Sequence, residues 1–127
     1  FEADFGAFDG IVLPGGMPGT KNLEHCEELM KQVDAFMKDG KLVCAICAAP
    51  SILGHRGHLQ GRKATVYPGM EGELTGAEWV ADKAVTDGNI ITARGMGCAI
   101  AFGLAIIEKL KGKQAADEMA QKVVYQL

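Results

Sequence analysis

Residues 42–50 read Leu42-Val43-Cys44-Ala45-Ile46-Cys47-Ala48-Ala49-Pro50. The first five side chains are apolar without alternation, which is typical of a strand buried on both faces of a parallel sheet. Proline is tolerated in the first turn of a helix, since the N–H group that it lacks would have no partner there. We therefore predict a strand over residues 41–46, followed at once by a helix over residues 48–53.

Short apolar runs and helical patterns alternate along the rest of the chain. Further strands are predicted over residues 9–14, 63–67, 84–86 and 90–93, the last two forming a hairpin around Asp87-Gly88. Helices are predicted over residues 23–37, 97–110 and 113–125. The second helix is apolar on almost every side, which predicts burial, and the third should turn Ala116, Met119 and Val123 inward. This alternation predicts an α/β fold whose mainly parallel sheet is covered on both faces.

The composition is that of a single globular domain. The 127 residues (13.5 kDa) are 48% hydrophobic and 23% charged, which excludes disordered, collagen-like and coiled-coil chains. A net charge of -3 without a basic stripe argues against nucleic acid or an anionic membrane as a partner. The longest apolar run, over residues 98–107, is too short to span a bilayer. No signal peptide opens the sequence. The chain is not a small secreted scaffold that needs disulfides, so its four cysteines predict a reducing cytoplasm.

The four cysteines agree with a reducing compartment. Cys26 and Cys98 fall within helical apolar patterns, which predicts buried free thiols. Cys44 and Cys47 form a CxxC pair, but a zinc site needs two further ligands and the sequence has no second CxxC. We expect no metal site, and a redox role for the pair is the weaker alternative.

Cys47 occupies the position of the reactive residue in a nucleophile elbow. A sharp strand-to-helix turn strains the backbone of the junction residue and requires small neighbours, here Ala45, Ala48 and Ala49. The N-terminus of the following helix would stabilise a thiolate, which is the nucleophilic form of cysteine. The alternative is that Cys47 is a core cysteine at a strand end, as we expect Cys44 to be.

Several segments together resemble one protein family. These are DGIVLPGG (9–16), AICAAP (45–50), KATVYPGMEGEL (63–74) and DGNIITARGMG (87–97), followed by a last apolar helix. They resemble the ThiJ/PfpI family, in order and over essentially all 127 residues. The resemblance implies a flavodoxin-like three-layer sandwich within the class I glutamine amidotransferase-like superfamily, and a homodimer. It is strongest to the protein deglycase and glyoxalase branch.

The resemblance also implies a site. It places the reactive thiol at Cys47 and backbone donors for an oxyanion at Gly16 and Ala48. It places Gly15, Arg94 and Tyr67 beside the substrate, and it requires neither metal nor cofactor. For Arg94 a structural ion pair is an equal alternative.

The sequence departs from the family pattern at three places. Tyr67 stands where some members have a histidine, which disfavours a Cys-His dyad and with it an amidase or peptidase, because tyrosine is a poor base near neutral pH. Met96 replaces the proline of the family's RGPG turn, so it could shield the thiol differently. The family's first strand and its acidic glutamate would precede Phe1. The chain is thus expected to be the C-terminal two-thirds of the family's domain, with the missing segment bound as a separate chain.

The expected function is that of a cysteine-dependent enzyme acting on small reactive carbonyl compounds, such as methylglyoxal or its adducts on proteins. Without the glutamate as base, this chain alone should be inactive. The alternative is an oxidation-sensing cysteine protein or chaperone, since an exposed thiolate also oxidises selectively.

The remaining titratable side chains give weaker signals. His55 and His58 form an HxxH pair that could hold a metal on a helix. Gly54 and Gly57 instead indicate a loop with solvated histidines. Glu71 and Glu73 are expected to face solvent or an interface.

Overall fold

The computed structural model describes residues 3–125, so that Phe1 lies outside the described residues. The helices are α1 (Gly19–Glu24), α2 (Glu27–Lys38), α3 (Pro50–His55), α4 (Ala99–Lys111) and α5 (Lys113–Lys122). The strands are β1 (Gly10–Leu13), β2 (Leu42–Ile46), β3 (Lys63–Ala64), β4 (Glu78–Trp79), β5 (Ala84–Asp87) and β6 (Ile90–Ala93). Short 3₁₀ turns lie at Phe5–Ala7, Glu71–Glu73 and Met96–Cys98.

The main sheet has the strand order β1-β2-β6-β5. β2 runs parallel to β1 on one side and to β6 on the other, and Cys44 is in register with Val12 and Ile91. β5 and β6 are antiparallel and form the predicted hairpin, with Asp87 opposite Ile90. The predicted strand–turn–helix unit therefore lies in the middle of the sheet, where β2 has a partner on both sides.

Side chains of β2 point alternately into two separate apolar clusters. Val43 and Ala45 pack with α2 and α3, in a cluster that also holds Val33, Phe36 and Ile52. Leu42 and Cys44 point the other way and pack with Ile91 and with Phe102 of α4. Helices cover both faces of the sheet, which confirms the predicted three-layer α/β architecture.

The helix predicted over residues 23–37 is in fact two helices. The chain leaves α1 at His25, and Cys26 adopts an extended backbone (φ −83, ψ 99) as the residue that caps α2. The carbonyl oxygen of Cys26 accepts the Met30 N–H group at 3.0 Å. The apolar spacing does not show the break because Leu23 and Met30, on either side of it, both pack into the same core. Gly40, two residues after α2, adopts the left-handed conformation (φ 70) that often follows the end of a helix.

The strand predicted over residues 63–67 does not join the main sheet. Only Lys63–Ala64 is a strand, and it pairs in parallel with β4 in a separate two-stranded sheet. Two N–H groups of this segment donate to side chains and not to the backbone of a strand in the main sheet. The N–H of Lys63 donates to the Asp87 carboxylate at 2.8 Å and that of Thr65 to the Thr92 hydroxyl at 3.0 Å.

The two C-terminal helices are more exposed than predicted. In α4 only Phe102 is buried, whereas Ile100 and Leu110 are each about half exposed. In α5 the buried residues are Ala116 and Ala120, while Met119 and Val123 are exposed. Alanines let α5 approach α4 closely, which leaves no room at that contact for the larger side chains. Cys26 and Cys98 are likewise only partly buried, because each lies at the start of a helix.

Across residues 3–125, no helix combines the length and the apolar character that crossing a bilayer requires.

Candidate active site

Cys47 follows β2 directly and turns the chain toward α3. Its φ angle is 65°, in the left-handed region that costs a non-glycine residue about 1–2 kcal/mol. Two hydrogen bonds hold this backbone in place: the Cys47 N–H donates to the Ala93 carbonyl at 2.9 Å, and the Cys47 carbonyl accepts from the Tyr67 N–H at 2.8 Å. The strained backbone predicted for the junction residue is confirmed.

Small residues surround the elbow. Ala48 and Ala49 are buried, and Gly15 packs against the turn from the loop after β1. A Cβ atom at Gly15 would lie 2.5 Å from the Cβ of Cys47 and 2.7 Å from the Ile46 carbonyl oxygen. Glycine is therefore required at this position by the close approach of two backbone segments.

A cavity of about 480 Å³ opens beside the thiol. Its lining residues come from three loops: Gly16, Met17, Cys47, Ala48, Tyr67, Pro68, Gly69 and Met70. Four predicted site residues thus meet in one cavity, whereas Gly15 and Arg94 are not in its lining. Met96 is 91% exposed and also absent from the lining, so the expectation that it shields the thiol is wrong.

Sequence reasoning missed the two methionines of the cavity, Met17 and Met70. Each stands in a loop of glycines and prolines (GGMPG and YPGM) next to a predicted site residue. In a helix or strand, an apolar side chain is explained by the face that it places in the core. In a loop of glycines and prolines no such explanation exists, so these methionines could have been recognised as candidate site residues. Together with Pro68 and the half-exposed Tyr67 ring, the methionines make the wall of the cavity largely apolar.

Two backbone donors face the same cavity as the thiol. Gly16 (φ 90) and Ala48 both line it, and no hydrogen bond from either N–H group to another group of residues 3–125 occurs. The Gly16 carbonyl, by contrast, accepts the Thr20 N–H at 2.9 Å and so fixes this peptide at the start of α1. Free N–H groups beside a thiol are the donors that an oxyanion needs.

Arg94 directly follows β6, and its backbone N–H donates to the Lys83 carbonyl at 3.2 Å. Its Nε atom is buried without a hydrogen-bond partner, and within residues 3–125 its guanidinium forms no ion pair. The structural ion pair considered as its alternative role is thus not found there. The pKa of Glu71 lies below its ordinary value, mainly because the backbone amides of Glu71 and Gly69 donate to its carboxylate. The positive charge of Arg94 adds a smaller effect.

Cys44 differs from Cys47 in its surroundings. Its side chain is fully buried against α4, and burial raises the pKa of the Cys44 thiol to about 12. A neutral core thiol of this kind does not act as nucleophile or metal ligand at neutral pH. Within the described part of the chain, no group of three or more histidines, cysteines and acidic residues could hold a metal ion.

His55 lies at the surface as the sequence predicted, whereas His58 is mostly buried, and both histidines contact carboxylates. His55 contacts two carboxylates: Nδ1 lies 2.6 Å from Glu24 Oε2, and Nε2 lies 2.9 Å from Glu73 Oε2. These carboxylates, Glu73 first and then Glu24, raise the pKa of His55. His58 Nε2 lies 2.6 Å from Asp34 Oδ1, so the two histidines of the HxxH pair have different partners. Glu73 faces solvent as expected, with 53% of its side chain exposed, and it also pairs with His55.

Arg56, between the two histidines, binds the same carboxylate as His58. Its Nε donates to Asp34 Oδ1 at 2.8 Å, and its Nη2 bonds to Asp34 Oδ2. The Arg56 hydrogen bond, with a smaller one from His58, lowers the pKa of Asp34 to about 2, although partial burial opposes the shift. This cluster connects the C-terminal end of α3 to α2.

Comparison with known proteins gives several relatives. Protein DJ-1 homolog A of Arabidopsis thaliana is 46% identical over 116 residues, which are 89% of this chain and 30% of that protein. The glutathione-independent glyoxalase DJR-1.2 of Caenorhabditis elegans is 32% identical over 88% of this chain and 60% of its own length. A deglycase of Pyrococcus abyssi is 34% identical over 82% of this chain and 63% of its own length. The chain thus spans between about a third and two thirds of these relatives.

The structural comparison agrees with the sequence comparison. The structure described as oxidized Toxoplasma gondii DJ-1 superposes with a TM-score of 0.89 at 33% identity, covering 94% of this chain and 66% of that one. This similarity confirms the flavodoxin-like α/β fold. The sequence pattern of the DJ-1/PfpI family matches residues 2–109, which is well over half of the sequence, and the chain therefore belongs to the DJ-1/PfpI family.

Proposed function

We propose that this chain carries the thiol of a cysteine-dependent enzyme that acts on small reactive aldehydes, as a glyoxalase or a deglycase does. One observation carries the proposal: Cys47 stands on a strained elbow in a cavity that it shares with two unpaired N–H groups. The family membership and the relatives named glyoxalase and deglycase support it. The homodimer implied by the resemblance and the cytoplasmic location predicted from the cysteines remain predictions.

The first chemical step uses the residues of this chain. The Cys47 thiolate attacks the aldehyde carbon of a 2-oxoaldehyde, a C–S bond forms, and the carbonyl π electrons move to oxygen. The N–H groups of Gly16 and Ala48 donate to that oxyanion. Protonation of the oxygen gives a hemithioacetal, and the Tyr67 hydroxyl is the side-chain donor that lines the cavity.

The second step moves a proton. A base removes the proton from the carbon that carries sulfur, and a proton is delivered to the neighbouring carbonyl carbon through an enediol. The product is a thioester, which water hydrolyses to a 2-hydroxy acid and the free thiol. The lining formed by residues 3–125 includes no carboxylate or imidazole, so the base must come from elsewhere. The resemblance assigns it to a glutamate outside this sequence.

The first step can be tested without the base. Methylglyoxal should protect Cys47 from alkylation by iodoacetamide, measured peptide by peptide with mass spectrometry, and Cys47→Ser should abolish lactate formation by the full-length protein. Cys26→Ser is the matched control, because Cys26 is another partly exposed free thiol and serine is a favourable helix cap. Lactate formation by Cys47→Ser at the wild-type rate would overturn the proposal.

A second candidate function is oxidation sensing at the same thiol. The Gly16 and Ala48 N–H groups that would hold an oxyanion could also hold the oxygens of a sulfinate, and one relative's structure is described as oxidized. Titration with peroxide distinguishes this candidate. A sensor oxidises first at Cys47 and has no aldehyde turnover, whereas an enzyme loses its turnover in step with Cys47 oxidation.

A further inference from the structure

The three loops that line the Cys47 cavity lead to three elements that meet again at His55. The Gly16–Met17 loop leads into α1, which ends at Glu24. The Cys47–Ala48 turn leads into α3, which ends at His55. The loop over residues 67–70 leads into the 3₁₀ turn that ends at Glu73. The imidazole lies between the Glu24 and Glu73 carboxylates, at 2.6 and 2.9 Å. Each of the three loops forms one wall of the cavity, so His55 connects the three walls at the ends of the elements that follow them.

This arrangement requires a protonated imidazole. A neutral histidine carries one N–H group and can donate to one carboxylate, so its second ring nitrogen would face the other carboxylate with a lone pair. An imidazolium carries two N–H groups and donates to both. The raised pKa of His55 agrees with this geometry.

The other charged groups nearby do not bind the ring. Arg56 pairs with Asp34 of α2 and acts on Glu24 only through the distance between their charges, while His58 also binds Asp34. Glu24 and Glu73 are the two groups whose charges act on His55 among the described residues. The protonation of His55 therefore depends on the two carboxylates that it bridges.

The three walls of the cavity depend on the His55 bridge to different degrees. Gly54 packs directly against the backbone of Glu73 and Leu74, where a Cβ atom would overlap the Glu73 carbonyl oxygen, and Leu74 is buried. These contacts fix α3 to the 3₁₀ turn without His55. The Gly16–Met17 loop, which forms the Met17 wall, is anchored at one end, where Gly15 packs against the Cys47 turn, and α1 packs into the core through Leu23. Within residues 3–125, the His55–Glu24 pair is the side-chain hydrogen bond that joins the far end of α1 to α3.

We propose that His55 is a positioning residue whose protonated ring holds the far end of α1, and through it the Met17 wall, against the cavity, and whose deprotonation loosens that wall beyond its fixed point at Gly15. The width of the entrance to Cys47 then depends on pH through a side chain that touches neither substrate nor thiol. The inference refines the proposed function, but accessibility of the thiol tests it without any turnover.

The experiment compares two thiol reagents of different size on the full-length protein. N-phenylmaleimide is bulky, iodoacetamide is small, and both react with the thiolate, so the ratio of their rates at Cys47 cancels the ionisation of the thiol itself. Mass spectrometry of the Cys47 peptide gives both rates between pH 6 and 9. In the wild type, the ratio should rise about two- to fivefold above the pKa of His55, as expected for breaking an exposed ion pair.

Three variants complete the test. His55→Gln cannot carry the charge and should show the high ratio at every pH. His55→Arg keeps a permanent charge and two donors, so it should show the low ratio at every pH. His58→Gln is the matched control, because it removes a histidine–carboxylate contact on the same segment without touching Glu24 or Glu73, and it should follow the wild type.

A wild-type ratio that stays flat across pH, or a His55→Arg variant that keeps the wild-type step, overturns the inference. If His55→Gln does not fold, the wild type and His55→Arg still decide between the outcomes. A clear step in a protein that makes no lactate would refute the proposed function and leave the positioning role of His55 standing. Lactate formation together with a rate ratio that does not change with pH would refute the role of His55 and leave the proposed function standing.

Discussion

Replacing Cys47 by glycine should leave the protein more stable than replacing it by alanine. At φ 65 a residue with a Cβ atom costs about 1–2 kcal/mol that glycine does not pay. Against this, glycine loses about 0.5–1 kcal/mol more backbone entropy on folding. The difference leaves a free energy of unfolding that is about 0.5–1 kcal/mol higher for Cys47→Gly. Urea unfolding followed by circular dichroism measures it, since both variants lack the thiol and neither can be oxidised at this position.

Cys44 provides the matched control, three residues earlier in the same segment. It lies inside β2 and is fully buried, so glycine there loses both the backbone entropy and the burial of one methyl group. Cys44→Gly should be about 1.5–2 kcal/mol less stable than Cys44→Ala. The glycine variant should therefore be more stable than the alanine variant at position 47 and less stable than it at position 44. If Cys47→Gly proves less stable than Cys47→Ala, the strain at the elbow does not exist and the argument fails.

Three further predictions concern stability. Gly15→Ala should destabilise the protein by about 1–3 kcal/mol in thermal unfolding, because the new methyl group would collide with the backbone of the Cys47 turn. Asp34→Asn should cost about 0.5–1 kcal/mol, since the carboxylate is 41% exposed. The pKa of Asp34 is lowered to about 2, so its contribution is present above pH 4 and the two proteins should converge as pH falls through 2. The opposite sign holds for His55, whose pKa is raised: His55→Gln should cost at most about 1 kcal/mol at pH 6, and urea unfolding should show this difference shrinking as pH rises through the raised pKa of His55.

The strands of the main sheet could be predicted because their signal is local. Residues 42–46 are all apolar, and residues 90–93 are apolar except for Thr92, which is typical of strands between two helical layers. The segment over residues 63–67 has the β-branched and aromatic side chains of a strand, yet most of it pairs with no strand. Its acceptors are the side chains of Asp87 and Thr92, more than twenty residues further along the sequence. Hydrogen-bond partners this far apart in sequence cannot be predicted from a local pattern of residues.

The candidate site likewise has one part that could be predicted from local sequence and one part that could not. Cys47 and Ala48 could be placed because the elbow is a single stretch of sequence, and Gly16 because a loop of glycines follows β1. The interactions at His55 could not, because Glu24 and Glu73 lie 31 and 18 residues away from it in sequence. Arg94 shows the converse: its motif suggested substrate contact, but its side chain is not in the cavity lining.

The thiol and the walls of its cavity are held by forces of different strength. The backbone of Cys47 is bonded to β6 through Ala93 and to the next loop through Tyr67, so the strained turn is fixed by the sheet itself. The walls are loops, and the His55 contacts that connect them are partly exposed to solvent. Because the nucleophile is rigid, the first step, attack of the thiolate on a carbonyl carbon, can be the same for different substrates. The walls are adjustable, so the shape of the entrance can select which carbonyl compound reacts. Substitutions at Met17 or Met70 should then alter which aldehydes react, whereas substitutions at Gly15 should slow every reaction of the thiol.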